Sequence, residues 1–270
     1  MDWARIMTPL SGGEGDARAL AAAAMIAGAF EAEIAGVFAP ADVSDLMPWM
    51  GDAYSGAVQP SALDSLRQAA AAGEASARSA FSNVTYSKKT FIALDSPVWA
   101  ALAMEARLSD LVVFDDAPAR GRGALAETFQ QIVAGEQRPT VVARPGLKVG
   151  GISAVAWDGG KEATRAVRTA IPLLAKASSV LILTAPAASP RKSHPKALQH
   201  FLAARGVAST IELLPDTGDP APSLIRAARS AGADLLVAGA FGHTRLREFI
   251  FGGATRTFLN AEAPSLFLSH

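Results

Sequence analysis

Leu235-Leu-Val-Ala-Gly239-Ala-Phe-Gly242-His-Thr-Arg-Leu-Arg-Glu-Phe-Ile-Phe-Gly252-Gly253-Ala-Thr255 opens as an apolar run that stops at a glycine. Two residues separate Gly239 from Gly242, nine more separate Gly242 from Gly252, and Gly253 stands directly behind. A buried strand that breaks at a glycine and leads into a helix aims free backbone N–H groups outward, the arrangement that receives an anion, most often a phosphate. Such a loop by itself is a weak signal, because glycines also serve tight turns. Its meaning depends on what the rest of the chain places around it.

Working outward, the strand before the loop has a twin. Ser109-Asp-Leu-Val-Val-Phe114 matches Ala233-Asp-Leu-Leu-Val-Ala238, and Arg138-Pro-Thr-Val-Val-Ala143 matches Ala263-Pro-Ser-Leu-Phe-Leu268 at a similar offset. Ala4-Arg-Ile-Met-Thr-Pro-Leu10 and Ser153-Ala-Val-Ala-Trp-Asp158 each open a half with a short apolar strand. Similarity at so long a period means a duplication, not a solenoid. Glycine and proline in Pro145-Gly-Leu-Lys-Val-Gly-Gly151 mark the boundary, which divides the chain into 1–147 and 151–270.

In the second half, strands are expected at 152–157, 179–185, 207–214, 234–239 and 264–269, with helices at 161–177, 194–205, 220–231 and 253–261. This alternation predicts an α/β fold of two tandem open-sheet domains, each a five-stranded parallel sheet with helices on both faces. The first half repeats the plan with an excursion over 40–80, where prolines and glycines mark a loop and Ser61–Ala80 reads as a long helix. In such sheets a ligand lies outside the carboxyl ends of the strands, where the connections reverse direction. Asp158 ends the first strand of the second half and Gly239 ends the fourth. A carboxylate facing a nucleoside across a glycine-lined anion site is more specific than either motif alone.

Composition narrows the partners. Among 270 residues half are hydrophobic, 25 basic residues balance 25 acidic ones, and cysteine is absent. Neutrality gives no support to nucleic-acid or membrane-surface binding, and the lack of cysteine removes disulfides, thiolate metal sites and cysteine nucleophiles. Arg18 and Glu31 bracket the alanine-rich run too closely for a span of about 20 apolar residues, and the start lacks a signal-peptide pattern. A soluble, cytoplasmic protein is expected.

With these residues in place, the second half resembles an ATP-binding universal stress protein domain, of the Rossmann-like, adenine nucleotide alpha hydrolase-like kind. That family carries Gly-x2-Gly-x9-Gly-(Ser/Thr) after its fourth strand. The resemblance sets Gly239, Gly242 and Gly252 at the three glycine positions, and implies that Asp158 contacts the nucleoside and that the backbone of Ala185 reads adenine. His243, Gly253, Ala254 and Thr255 complete the implied phosphate segment. The whole chain is similar to a tandem universal stress protein, which implies ATP (or ADP or AMP) as ligand, Mg²⁺ as an optional companion, fifth-strand pairing of the domains within the chain, and a homodimer of chains.

Two departures qualify the likeness. Gly253 stands where the family has Ser or Thr, which removes one hydroxyl donor but keeps the backbone N–H; Thr255 could supply a hydroxyl instead. In the first half Leu10 replaces the strand-one aspartate, Asp115-Asp116-Ala117-Pro118 follows the fourth strand, and Glu127-Thr128 stands near the counterpart of Gly252-Gly253. Carboxylates there would repel phosphate, so the first site reads as lost. Ser11-Gly-Gly-Glu-Gly-Asp16 faintly resembles the loop of ATP pyrophosphatases, but an extra residue and Ala17 break the pattern and favour a helix-capping turn. His194 and His200 lack a third ligand, so no metal site is expected. No phosphate-binding Gly-x4-Gly-Lys loop, nucleophile elbow or poised base appears. A bound nucleotide is therefore expected to act as a regulatory ligand. A nucleotide-independent interaction protein and a weak ATPase are the alternatives.

Overall fold

The structure, a computed structural model, describes residues 3–40, 60–94, 98–185, 193–215, 218–240 and 253–270. Ten strands form one sheet: β1 Arg5–Leu10, β2 Glu33–Phe38, β3 Lys89–Ala93, β4 Leu111–Asp115, β5 Thr140–Ala143, β6 Ile152–Ala156, β7 Ser179–Thr184, β8 Ser209–Leu213, β9 Leu235–Gly239 and β10 Ser265–Ser269. Their order is β3-β2-β1-β4-β5-β10-β9-β6-β7-β8. Within each half every pairing is parallel; at the centre β5 and β10 run antiparallel, with Val141 opposite Phe267 and Val142 opposite Leu266. The expected pair of five-stranded parallel sheets is thus fused into one mixed sheet. The strands at 139–143 and 264–269 make the fifth-strand pairing expected within the chain and so form its middle; β3 and β8 are the edges.

The helices are α1 Gly15–Phe30, α2 Pro60–Ser82, α3 Val98–Ala106, a turn α4 Asp116–Ala119, α5 Ala126–Gln130 running into a π-helical turn Gln131–Gly135, α6 Lys161–Lys176, α7 Pro195–Ala203, α8 Ala221–Ser230 and α9 Gly253–Asn260. Alternate strand residues point to opposite faces, and two cores follow. One joins Ile6, Leu10, Val141, Val237 and Phe267 to side chains of α1, α2, α6 and α7. The other joins Met7, Val142, Leu236, Leu266 and Leu268 to α3, α5, α8 and α9. Both cores run across the β5–β10 junction. On the first face Trp3 stacks on Phe267 with ring centroids 6.4 Å apart, and the Lys176 ammonium sits 4.9 Å from the Phe30 ring.

The repeated Asp-Leu pair has a shared task. The Asp110 carboxylate accepts from the Ala4 and Arg5 amides at 2.7 and 3.0 Å, and the Asp234 carboxylate accepts from Ile152 N–H at 2.9 Å. Each aspartate therefore ties the start of its half's first strand to the start of its fourth. This pins the two strands whose far ends frame the crevice.

Candidate functional site

In the second half β6 lies between β7 and β9, so the chain leaves β6 in one direction and returns on its other side. That reversal opens a crevice at the carboxyl ends of β6 and β9. Ser153, Ala154 and Val155 pair with Leu235, Leu236 and Val237, which brings the end of β6, continuing into Trp157 and Asp158, beside Gly239. Asp158 is exposed, and its carboxylate accepts from Gly160 N–H at 2.9 Å, just before α6 starts. Gly160 is the capping residue of that helix, and Asp158 shapes the turn ahead of it. The Trp157 ring donates to the Ser193 carbonyl at 3.0 Å, and Ser193 N–H donates to the Gly159 carbonyl at 3.0 Å, so the start of the α7 segment is strapped to this turn. Ala185 follows the last residue of β7, at the same end of the sheet.

Gly239 has a packing reason that the sequence did not disclose. A Cβ there would lie 2.6 Å from the amide nitrogen of Ala163 and 2.6 Å from the carbonyl carbon of Glu162. The first turn of α6 thus rests directly on the end of β9, closing one wall of the crevice. Glu162, whose side chain is 13% exposed and lies 3.5 Å from the Lys161 ammonium, stands in that turn. Gly253 opens α9, and a Cβ there would meet nothing within 4 Å, so a serine would fit. Thr255 is 5% exposed and Ala254 packs against the core, which leaves the backbone at Gly253 as the outward part of the described segment. Gly242, His243 and Gly252 lie outside the described residues, as do the two arginines Arg245 and Arg247. His194 caps α7, its ring nitrogen accepting from Lys196 N–H at 3.2 Å.

The matching crevice of the first half is filled by its own side chains. β1 and β4 are neighbours, but Leu10 at the end of β1 is fully buried, and Asp115 at the end of β4 pairs with Arg18 at 2.9 Å. Asp16, in the first turn of α1, reaches back to accept from Ser11 N–H at 3.1 Å and Gly12 N–H at 2.8 Å. The Ser11–Asp16 stretch is therefore not an ordinary side-chain cap: the carboxylate occupies the place where the loop amides would meet a ligand anion. Gly12 is held at φ +78° against the backbone of Gly73 in α2, and its carbonyl accepts the Ser76 hydroxyl at 2.8 Å. In the position of α9 the first half has α5, with Glu127 in its first turn.

Burial pushes the Asp16 carboxyl above its ordinary 3.8, against the pull of the Ser11 and Gly12 amides; nearby Asp115 adds to the rise. The native state then holds this proton more readily than the unfolded chain, so stability from Asp16 falls as pH rises through the raised value. Asp16→Asn removes the titration. The stability of the parent minus that of Asp16→Asn is expected to increase as pH is lowered from about 7 toward about 4, measured by urea unfolding at each pH. A flat difference would mean that the buried carboxylate does not titrate in this window.

Residues 154–264 match the universal stress protein family. The second half carries the domain of that family. The universal stress protein match contains the β6–β9 crevice and α9, and brings a stress-response role at the level of the family. No curated protein matches the chain. Among solved structures, a universal stress protein of Archaeoglobus fulgidus superposes with a TM-score of 0.65 over 98% of this chain and 97% of its own, at 14% identity. A Pseudomonas aeruginosa protein of unknown function does so with a TM-score of 0.58 over 99% and 92%, at 15% identity. These likenesses speak for the fold, and they extend it over both halves. A universal stress protein in complex with cAMP covers 53% of this chain at 15% identity and a TM-score of 0.29, too slight for anything to be carried over. No helix among the described residues is long and apolar enough to cross a membrane.

Proposed function

We propose that the chain is a tandem universal stress protein, with domains 1–147 and 151–270, that binds one adenine nucleotide in the second domain as a regulatory ligand. The observation that carries this reading is the β6–β9 crevice, which sets exposed Asp158 beside Gly239 while the matching crevice is filled by Leu10, Asp16 and the Asp115–Arg18 pair. The nucleoside would lie against Asp158 and Ala185, and the phosphates, with or without Mg²⁺, against the segment from Gly239 to the start of α9, including Gly242, His243, Gly252 and Gly253. ATP, ADP and AMP share the adenosine that this reading uses, and the cytoplasm is where such a ligand is abundant. A bound nucleotide shifts a conformational or assembly equilibrium only through different affinity for the two states.

Titration of the full chain with ATP tests the reading. One nucleotide per chain is expected, weakened about tenfold or more by Asp158→Ala, the scale of a lost hydrogen bond to a charged group. Two per chain, or no binding at all, would sink it. The nucleotide-independent reading draws on a specific observation: Gly239 is already explained by the approach of α6, and Asp158 by the turn at Gly160. It wins if purified protein releases no nucleotide on denaturation and ATP leaves its melting temperature unmoved. A homodimer would have to form elsewhere than at β5 and β10, which are consumed within the chain.

A further inference from the structure

Arg144 stands just past β5, in the first half, yet its side chain is only 5% exposed and spends its donors on the second half. One terminal nitrogen donates to the carbonyls of Phe258 and Leu259 at 3.1 and 2.8 Å; the other reaches those of Ala263 and Pro264 at 3.4 and 3.3 Å. Its Nε donates to the Asp116 carboxylate at 2.6 Å. Asp116 also pairs with Arg120, whose guanidinium reaches the Asn260 carbonyl at 3.4 Å. The carbonyls of 258–260 are the last ones of α9, which have no partner within the helix and carry the negative end of its dipole. Two arginines held by one carboxylate therefore cap the C-terminus of the helix whose N-terminus is the proposed phosphate segment.

The source of the clasp is informative. Asp115 and Gly239 both end the fourth strand of their half, so Asp116 occupies the first position beyond the strand, where the second half has Ala240. α9 has only eight residues, and so short a helix holds its place through tertiary contacts more than through its own propensity. From this geometry we propose that Arg144, oriented by Asp116, is a positioning residue for the nucleotide segment: the first half, its own crevice filled, fixes the helix that presents Gly253 in the second. This rests on the nucleotide reading above, and the experiment separates the two.

Hydrogen exchange of the full, ligand-free chain is compared with Arg144→Met and Arg144→Lys, followed by ATP titration of each. In Arg144→Met the amides of 253–260 are expected to exchange about tenfold faster or more, while those of β1 and β2 stay as in the parent. ATP affinity falls about tenfold, within the ordinary range of coupling between sites. Arg144→Lys, which keeps the charge but not the fork, falls between parent and Met variant in both measurements. Unchanged exchange in α9, or an equal rise in both halves, overturns the proposal, since a merely structural loss would loosen the sheet throughout. Faster α9 exchange with unaltered ATP affinity also overturns it. Should the parent bind no ATP, the nucleotide reading falls on its own, and the exchange data alone decide whether Arg144 holds α9.

Discussion

Gly239→Val is expected to destabilise the chain by about 3 kcal/mol or more, at the upper end of the cost of overpacking a core. The collision begins at the first atom of any side chain, 2.6 Å from backbone atoms of Glu162 and Ala163 and 2.9 Å from the Glu162 Cβ. Backbone cannot rotate aside as a side chain does, so α6 must lift from the sheet. α6 places Ala163, Ala166, Val167, Ala170, Leu173 and Leu174 in the core, and a tilt at its first turn strains all of them. For a chain of this size the melting temperature should fall by about 6–12 °C, and Gly239→Ala should move it in the same direction by less. These measurements need no ligand. That separates the packing role of Gly239 from a phosphate role: a glycine present only for phosphate would tolerate alanine in the ligand-free protein. If Gly239→Ala leaves the melting temperature unchanged, the contact with α6 does not constrain this position.

The same glycine shows where reading the sequence stops. The apolar run and the glycine spacing are local, so the strand at Leu235–Gly239 and the helix behind it were legible, as was the long helix Pro60–Ser82 despite its slightly different limits. What lies across the strand end is not local. Nothing near Gly239 in the chain announces that Glu162 and Ala163 will press on it. Arg144 was missed for the same reason: within Val-Ala-Arg-Pro-Gly it looks like a solvated charge in a turn, and its burial exists only because α9, more than a hundred residues later, brings its carbonyls there. Asp16 lay between these cases. Its spacing from Ser11 suggested a capping turn, but only the fold shows the carboxylate turned back onto the loop amides where an external anion would sit. The fourth-strand match and Asp158 were readable as neighbours at one end of the sheet because both are carried by motifs. Leu10 and Asp115 set the first half apart in the sequence, and burial of the first and the Arg18 pairing of the second give that difference a physical form.

Phe267→Ala is expected to cost about 3–5 kcal/mol, the range for removing a large buried aromatic side chain, and to lower the stability of both halves together. Phe267 is fully buried at the middle of the ten-stranded sheet, opposite Val141 of β5 and beside Val237 of β9. Its ring lies parallel to Trp3, which in turn packs on Phe30 at 4.9 Å, so one side chain of the second half supports the first strand and first helix of the first. The core to which it belongs contains Ile6, Leu20 and Ile26 from one half and Val155, Leu174 and Ile182 from the other. A cavity opened there removes contacts from both sides of the junction at once. Unfolding in urea, followed by probes in each half, should show the two transitions shifting by the same amount and remaining coincident. If the second half melts early while the first keeps its parent midpoint, the junction is a contact between independently unfolding domains. Coincident transitions would instead mean that the two halves share one cooperative core. The filled crevice and the β6–β9 crevice would then belong to a single folding unit, in which the first half contributes stability and position and the second contributes the proposed site.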